Sequence, residues 1–419
     1  EIIKCDWSSD VCSSDLAGDH FVAGGPDEGA DNVGRDAATE RGVYVSHDAG
    51  ANWKSLQKNL PPVPVSDMML RDDDLAISTH GRAFWVMENL TPLRWEPETE
   101  KAASAPYLYK PVPVLRLNGQ AAPTFVYRLP TDSMPVTFQF YDKAGKLLAT
   151  VASTDTNPTP AAGGPGGGRG FGAAAPAKPT NRKGVNRYTW TMRHPDAVTF
   201  RGMILWGGRG TGPSMAPGTY SVKMTAGSAA PVQYTFVVKP DPRSDATEAD
   251  LVEQTRMALQ VRDRMSDANK GVIEIRNLKT DVTDRTAKMT ANAAFAPLAK
   301  KFADSLSAVE DSVYQTKNQS GQDPLNFPIR LNNQFSSLLS FVSSGERRPP
   351  KQAYDVLAVL NPKLDLQMAR MERIIAADLP KINAMLKAAG LPEITRSKVE
   401  KGGPGAPQAV FVPDETSGL

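Results

Sequence analysis

Hydrophobic and polar positions change rhythm twice along this chain of 419 residues. Between residues 40 and about 97, short apolar runs are broken by turn residues. From 111 to 240 alternation with period two dominates. From Thr247 to Gly390 the apolar residues recur at three-, four- and seven-residue intervals, the spacing of one helix face. In "VTFQFYDKAGKLLATV", Val136, Phe138 and Phe140 point one way and Thr137, Gln139 and Tyr141 the other, and "DKAG" turns the chain into a second strand. The same pattern groups Tyr188 with Trp190 and Met192. It also groups Tyr220 with Val222 and Met224, and Val232 with Tyr234, Phe236 and Val238.

Short alternating strands separated by turns predict an immunoglobulin-like β-sandwich over 106–243. A Gly/Pro-rich stretch, 154–184, interrupts it. Its glycines lack the order and the strand-to-helix context of a phosphate loop, so it reads as a flexible insertion. The helical third covers 244–392. Thr247 and Asp250 stand where a helix N-terminus is capped. Leu251, Ala258, Met265 and Val272 form one stripe beside Val261, Ala268 and Ile275. Further stripes run through Phe295, Leu298, Phe302, Leu306, Val309 and Val313, and through Leu331, Phe335, Leu338 and Val342. A last one carries Leu364, Met368, Met371, Ile375, Ile382 and Leu386. Four such stripes predict an antiparallel helical bundle, whose internal packing explains each stripe without the partner a coiled coil would need. Residues 393–419 are rich in Gly and Pro without periodicity and read as a disordered tail.

The N-terminal stretch has a different texture. "DWSSDVCSSDL", residues 6–16, is similar to one reading frame of a common sequencing-library adapter, which implies that residues 1–16 are a processing scar outside the fold. They hold Cys5 and Cys12, the only cysteines, so disulfides, zinc–thiolate sites and cysteine nucleophiles drop out of the expected chemistry. They also carry a net charge of −3. The chain's formal +2 therefore becomes +5 over the other 403 residues, too weak a charge to argue for nucleic acid. Residues 17–39 carry no strand pattern and are assigned no fold. No apolar run reaches the ~18 residues of a membrane span.

"RGVYVSHDAGANWKSL" contains Ser46-x-Asp48-x-Gly50-x-x-Trp53. An Asp side chain can bond turn amides, Gly supplies an unusual φ, and Trp covers the adjoining strand, so the motif makes sense as a hairpin. The spacing resembles an Asp-box. With the following "LPPVPVSDMMLRDDDLAISTHGRAFWVMENLTPLR", it resembles the closing blade of bacterial sortilin-like BNR-repeat β-propeller proteins, often labelled glycosyl hydrolases. "GVNRYTWTMRHPDA", "GMILWGG", "APGTYSVKM", "VVKPDPR" and "DPLNFPIRLNNQFSSLL" are similar to the same family's later parts. The resemblance implies a multidomain β plus α chain: a β-propeller blade remnant over 17–105, the sandwich, then the helical bundle. It also implies a periplasmic or extracellular location and a structural role for the Asp-box, away from the ligand face.

Candidate chemistry is sparse. The acidic run Asp72-Asp73-Asp74 lacks the alternate spacing of a calcium loop and reads as a solvated turn. His80 and Arg82, in a loop before "AFWVM", are candidate contacts for a sugar or carboxylate, and Trp206, in "LWGGRG", is a candidate for sugar stacking. His20, His47, His80 and His194 fall in no metal-binding spacing, and no cofactor is expected. Glycoside hydrolysis needs two carboxylates across one bond. Asp67 and Glu88 lie in the blade, but sequence does not place them opposite each other. The favoured expectation is a non-catalytic C-terminal portion of an extracytoplasmic propeller protein that binds protein or carbohydrate. The alternative is an accessory part of a glycoside hydrolase whose catalytic blades lie elsewhere.

Overall fold

The computed structural model describes residues 35–396 apart from 40–41, 49–50, 72–73, 95–103, 156–177 and 291. The adapter-like segment, Gly50, the first two residues of the acidic run, most of the Gly/Pro-rich insertion and the tail beyond 396 lie outside the described residues. The described residues form β sheets and helices with three hydrophobic cores in sequence order.

The first core lies between two three-stranded antiparallel sheets. One holds β1 (Arg35–Thr39), β2 (Gly42–Ser46) and β3 (Lys54–Ser55). The other holds β4 (Val65–Arg71), β5 (Asp74–Thr79) and β6 (Phe84–Met87), and a short helix α1 (Thr91–Arg94) follows. Val43 and Val45 of β2 and Leu75 and Ile77 of β5 are buried in this core together with Leu56, Leu60, Val63 and Leu90. Where the sequence predicts one blade, the structure builds two small sheets that share one core, and the described residues form no propeller ring. β1 was also not foreseen. Its sequence, RDAAT, has no apolar alternation, and backbone pairing with β2 from Arg35↔Ser46 to Thr39↔Gly42 defines it.

The second core lies between two further sheets. The larger has the order β11–β10–β13–β14–β8, with β8 (Val114–Arg116), β10 (Val136–Asp142), β11 (Leu147–Ala152), β13 (Gly218–Ala226) and β14 (Val232–Pro240). The smaller is β12–β9–β7, with β7 (Tyr107–Leu108), β9 (Thr124–Leu129) and β12 (Gly184–Thr189). The period-two residues point inward as expected. Val136, Phe138 and Phe140 are buried, and Phe140 stacks on Trp190 at 4.0 Å between ring centroids. In the β10–β11 turn the Asp142 carboxylate accepts from the amides of Ala144 and Lys146, both at 2.9 Å, and Gly145 takes the positive φ that closes it.

Four long helices enclose the third core: α2 (Glu248–Lys288), α3 (Phe295–Val313), α4 (Leu331–Val342) and α5 (Lys351–Ala388). Thr247 and Asp250 form a reciprocal capping box at the start of α2. The apolar stripes meet in one core, each fully buried large side chain contributing about 1.5–3 kcal/mol. The ordered chain runs past α5. Ile394 is buried against the helices, its amide donates to Asn383, and Arg396 reaches Glu274 and Glu372 at 2.6 and 2.7 Å. Residues 393–396, expected at the head of a disordered tail, are therefore fixed by a paired arginine.

Residues 195–214, expected within the sandwich, instead lie as a strap on the helices, folded back on itself where Ala197 N donates to Gly210 O at 2.7 Å. Ala197, Phe200, Met203 and Leu205 join the helical core. Side chains from the helices bond the strap's backbone: Ser266 accepts from Val198 N at 3.1 Å, and Asn269 donates to Val198 O at 2.6 Å. The Tyr314 hydroxyl accepts from Ile204 N at 3.1 Å. A second tie is Arg116, 4% exposed, facing Gln254 of α2 and Glu346.

Candidate functional site

A cleft of about 370 Å³ opens between the two small sheets. Its floor is aliphatic, made by Val43, Leu56, Leu60, Leu75 and Ile77. Trp85, Val86 and Met87 of β6 form one wall. The rim is polar: Gln57, Lys58 and Asn59 from the turn after β3, Glu88 from the end of β6, and Arg187 from β12. An apolar floor with a few polar groups on its rim is the usual form of a ligand site.

Local bonds hold each wall in place. The Gln57 side-chain amide donates to the carbonyls of Leu60 and Pro61 at 2.8 and 2.9 Å, and Leu60 N donates to Gln57 O at 2.7 Å. This closes the turn and leaves Lys58 at a positive φ of 43°. Gly42 makes room for it. A Cβ there would lie 1.8 Å from Gln57 Oε1, and its φ of +132° is in any case strained for other residues. On the opposite wall the Trp85 indole donates to the Arg82 carbonyl at 2.9 Å. Arg187 Nη2 donates to the Glu88 carbonyl at 3.1 Å and brings a cation from the sandwich to the cleft.

Of the residues singled out from sequence, Ser46 and Asp48 close a turn with Asn52 and do not belong to the cleft lining. The Ser46 hydroxyl donates to Asp48 Oδ1 at 2.8 Å. Asn52 gives Asp48 two bonds, from its backbone amide at 2.8 Å and from its side chain at 2.7 Å. The bonds from the Asn52 side chain and amide, then that from Ser46, hold the Asp48 carboxyl down at about 2. The carboxylate is thereby occupied as a turn acceptor. Trp53 is half-buried.

His80 and Arg82 sit in the β5–β6 turn, exposed to solvent. Gly81 and Ala83 take positive φ there, and the Thr79 hydroxyl donates to Ala83 O at 2.6 Å. Trp206 belongs to the strap and is 41% exposed. Its backbone is clamped by Asn333, which accepts from Trp206 N at 2.7 Å and donates to Trp206 O at 3.0 Å. The three candidate ligand contacts thus fall on two separate supports, the small sheets and the helices. Asp67 accepts from its neighbour Met68 N at 2.8 Å and does not line the cleft, whereas Glu88 does. Asp74, the described member of the acidic run, accepts from Asn89 N at 2.8 Å. Among the described residues no group of three His, Cys, Asp or Glu side chains is placed to hold a metal ion, and no helix is long and apolar enough to cross a membrane.

Sequence reasoning missed the Gln57–Asn59 turn and Arg187. The alternation of β12 puts Arg187 on the outer face of its sheet, but nothing in the pattern says which neighbour that face meets. No protein-family model matches the chain, and no curated protein matches it.

Proposed function

We propose that this chain is the non-catalytic C-terminal portion of an extracytoplasmic, sortilin-like BNR-repeat protein, and that it binds a protein or carbohydrate ligand in the cleft between its two small sheets. The observation that carries the reading is the composition of the cleft: an aliphatic floor, the Trp85 wall and a rim bearing Lys58, Arg187 and a single carboxylate, Glu88. One carboxylate leaves glycoside hydrolysis without either its acid or its second group. Two antiparallel sheets that share one core, with an aspartate-closed turn between β2 and β3, support the pair as parts of two neighbouring propeller blades. An immunoglobulin-like topology for the sandwich is supported by Tyr220, whose hydroxyl donates to the Ala216 carbonyl four residues upstream at 2.6 Å. The single experiment is an array of immobilised glycans and extracellular proteins probed with the purified chain and with Trp85→Ala. Ligands retained by the chain and lost by the equally folded variant are expected. Retention unchanged by the substitution would move the binding site elsewhere.

A further inference from the structure

We propose that the free edge of β6 takes an extended acidic peptide as a fourth strand, with an apolar side chain of that peptide in the cleft and a carboxylate at the rim formed by Lys58 and Arg187. The inference rests on the binding-cleft reading and narrows its ligand to one class. Trp85, Val86, Met87 and Glu88 are consecutive, and all four line the cleft. Successive strand residues point to opposite faces, so a cavity touching all four runs along the backbone edge between those faces. Among the described residues that edge is open. β6 pairs with β5 alone, from Ser78↔Phe84 to Leu75↔Met87, without a register shift.

Edge strands are normally guarded by proline, charge or a bulge. β6 has none of these; its sequence is FWVM, with Phe84 81% and Val86 61% exposed on the face away from the core. One backbone group beside the cleft already takes a donor from outside the sheet, since Arg187 bonds the Glu88 carbonyl. A row of amides from an added strand would extend the same interaction.

Charge selects the partner. Arg82 stands in the turn before β6, and Lys58 and Arg187 stand at the rim near its end, against two carboxylates, Glu88 and Asp74, of which Asp74 is taken up by the Asn89 amide at 2.8 Å. Pairing two copies of this edge would set these cations against one another, which disfavours a second copy of the chain. The aliphatic floor offers a sugar's hydroxyls few partners, and suits a Val, Ile or Leu side chain.

The test pans the full chain against a displayed library of random nonapeptides and resynthesises the enriched sequence. Enrichment of apolar residues at alternate positions, with at least one Asp or Glu, is expected. N-methylating the amides on one side of the peptide should weaken binding about tenfold, roughly the worth of one or two backbone bonds, while methylating the other side changes it little. Lys58→Glu, at a solvent-exposed position, should weaken binding and leave the melting curve intact, while Arg187→Glu should weaken binding and also lower the melting point, because it removes the bond to the Glu88 carbonyl. Absence of enrichment, enrichment without acidic residues, or affinity indifferent to methylation on both sides would overturn the proposal. So would self-association of the chain reversed by Val86→Lys. Glycan binding lost in Trp85→Ala, without peptide enrichment, would overturn strand addition while leaving the cleft reading standing.

Discussion

Asp48 shows how much one side chain does when its whole coordination is local. Its two carboxylate oxygens take the Asn52 amide, the Asn52 side chain and the Ser46 hydroxyl, and these bonds pull its carboxyl from the ordinary 3.8 to about 2. A folded-state value below the unfolded one means the carboxylate stabilises the fold above the unfolded value. That stability fades as pH falls through the folded one. Asp48→Ala should therefore lower the urea midpoint at neutral pH, and the gap from the parent should narrow as pH falls from about 4 to about 2. Urea melts of both proteins across that window check this; a gap independent of pH would mean the charge plays no part. The aspartate, the serine and their spacing were legible because the bonds they make span only four residues. Asn52 was not singled out, since it stands at an unassigned position of the same motif and its role appears only once the turn is closed.

At the scale of elements, legibility follows how an element satisfies its backbone. The four long helices and the strands of the sandwich satisfy theirs internally or by regular pairing. The remaining signal is then which side chains face the core, and that is written as a period. Leu251 through Val272 on α2 and Val136 through Phe140 on β10 are buried where the alternation puts them. The strap has no such period. Its amides and carbonyls are met one at a time by Ser266, Asn269, Tyr314 and Asn333, which lie 68 to 127 residues away in sequence. Those residues look in sequence like unremarkable polar positions on amphipathic helices. Gly208 allows the strap to approach α4 closely, since a Cβ there would lie 2.2 Å from Ser336 Oγ. Asn333 is buried and bonds both backbone groups of Trp206, so Asn333→Ala strands a donor and an acceptor and should cost about 1–3 kcal/mol. Chemical denaturation measures the loss. A change under about 0.5 kcal/mol, the size of an ordinary surface substitution, would show that the strap is held by its apolar residues alone.

Over the whole molecule, the helices and the sandwich are tied by the strap and by Arg116 facing Gln254 and Glu346, while Arg187 joins the sandwich to the small sheets at the rim of the cleft. The β plus α order of the parts was legible because each has its own rhythm. The cleft was not, because it is assembled from β2, the turn after β3, β5, β6 and β12, and no short window of sequence contains it. We propose that this cleft binds its ligand without hydrolysing a glycosidic bond, Glu88 being the one carboxylate among its described lining residues. The most direct measurement is the release of aryl groups from a panel of aryl glycosides by the purified chain, alongside Glu88→Gln. The account predicts no turnover above background for either protein. Turnover by the parent that is abolished in Glu88→Gln would contradict it.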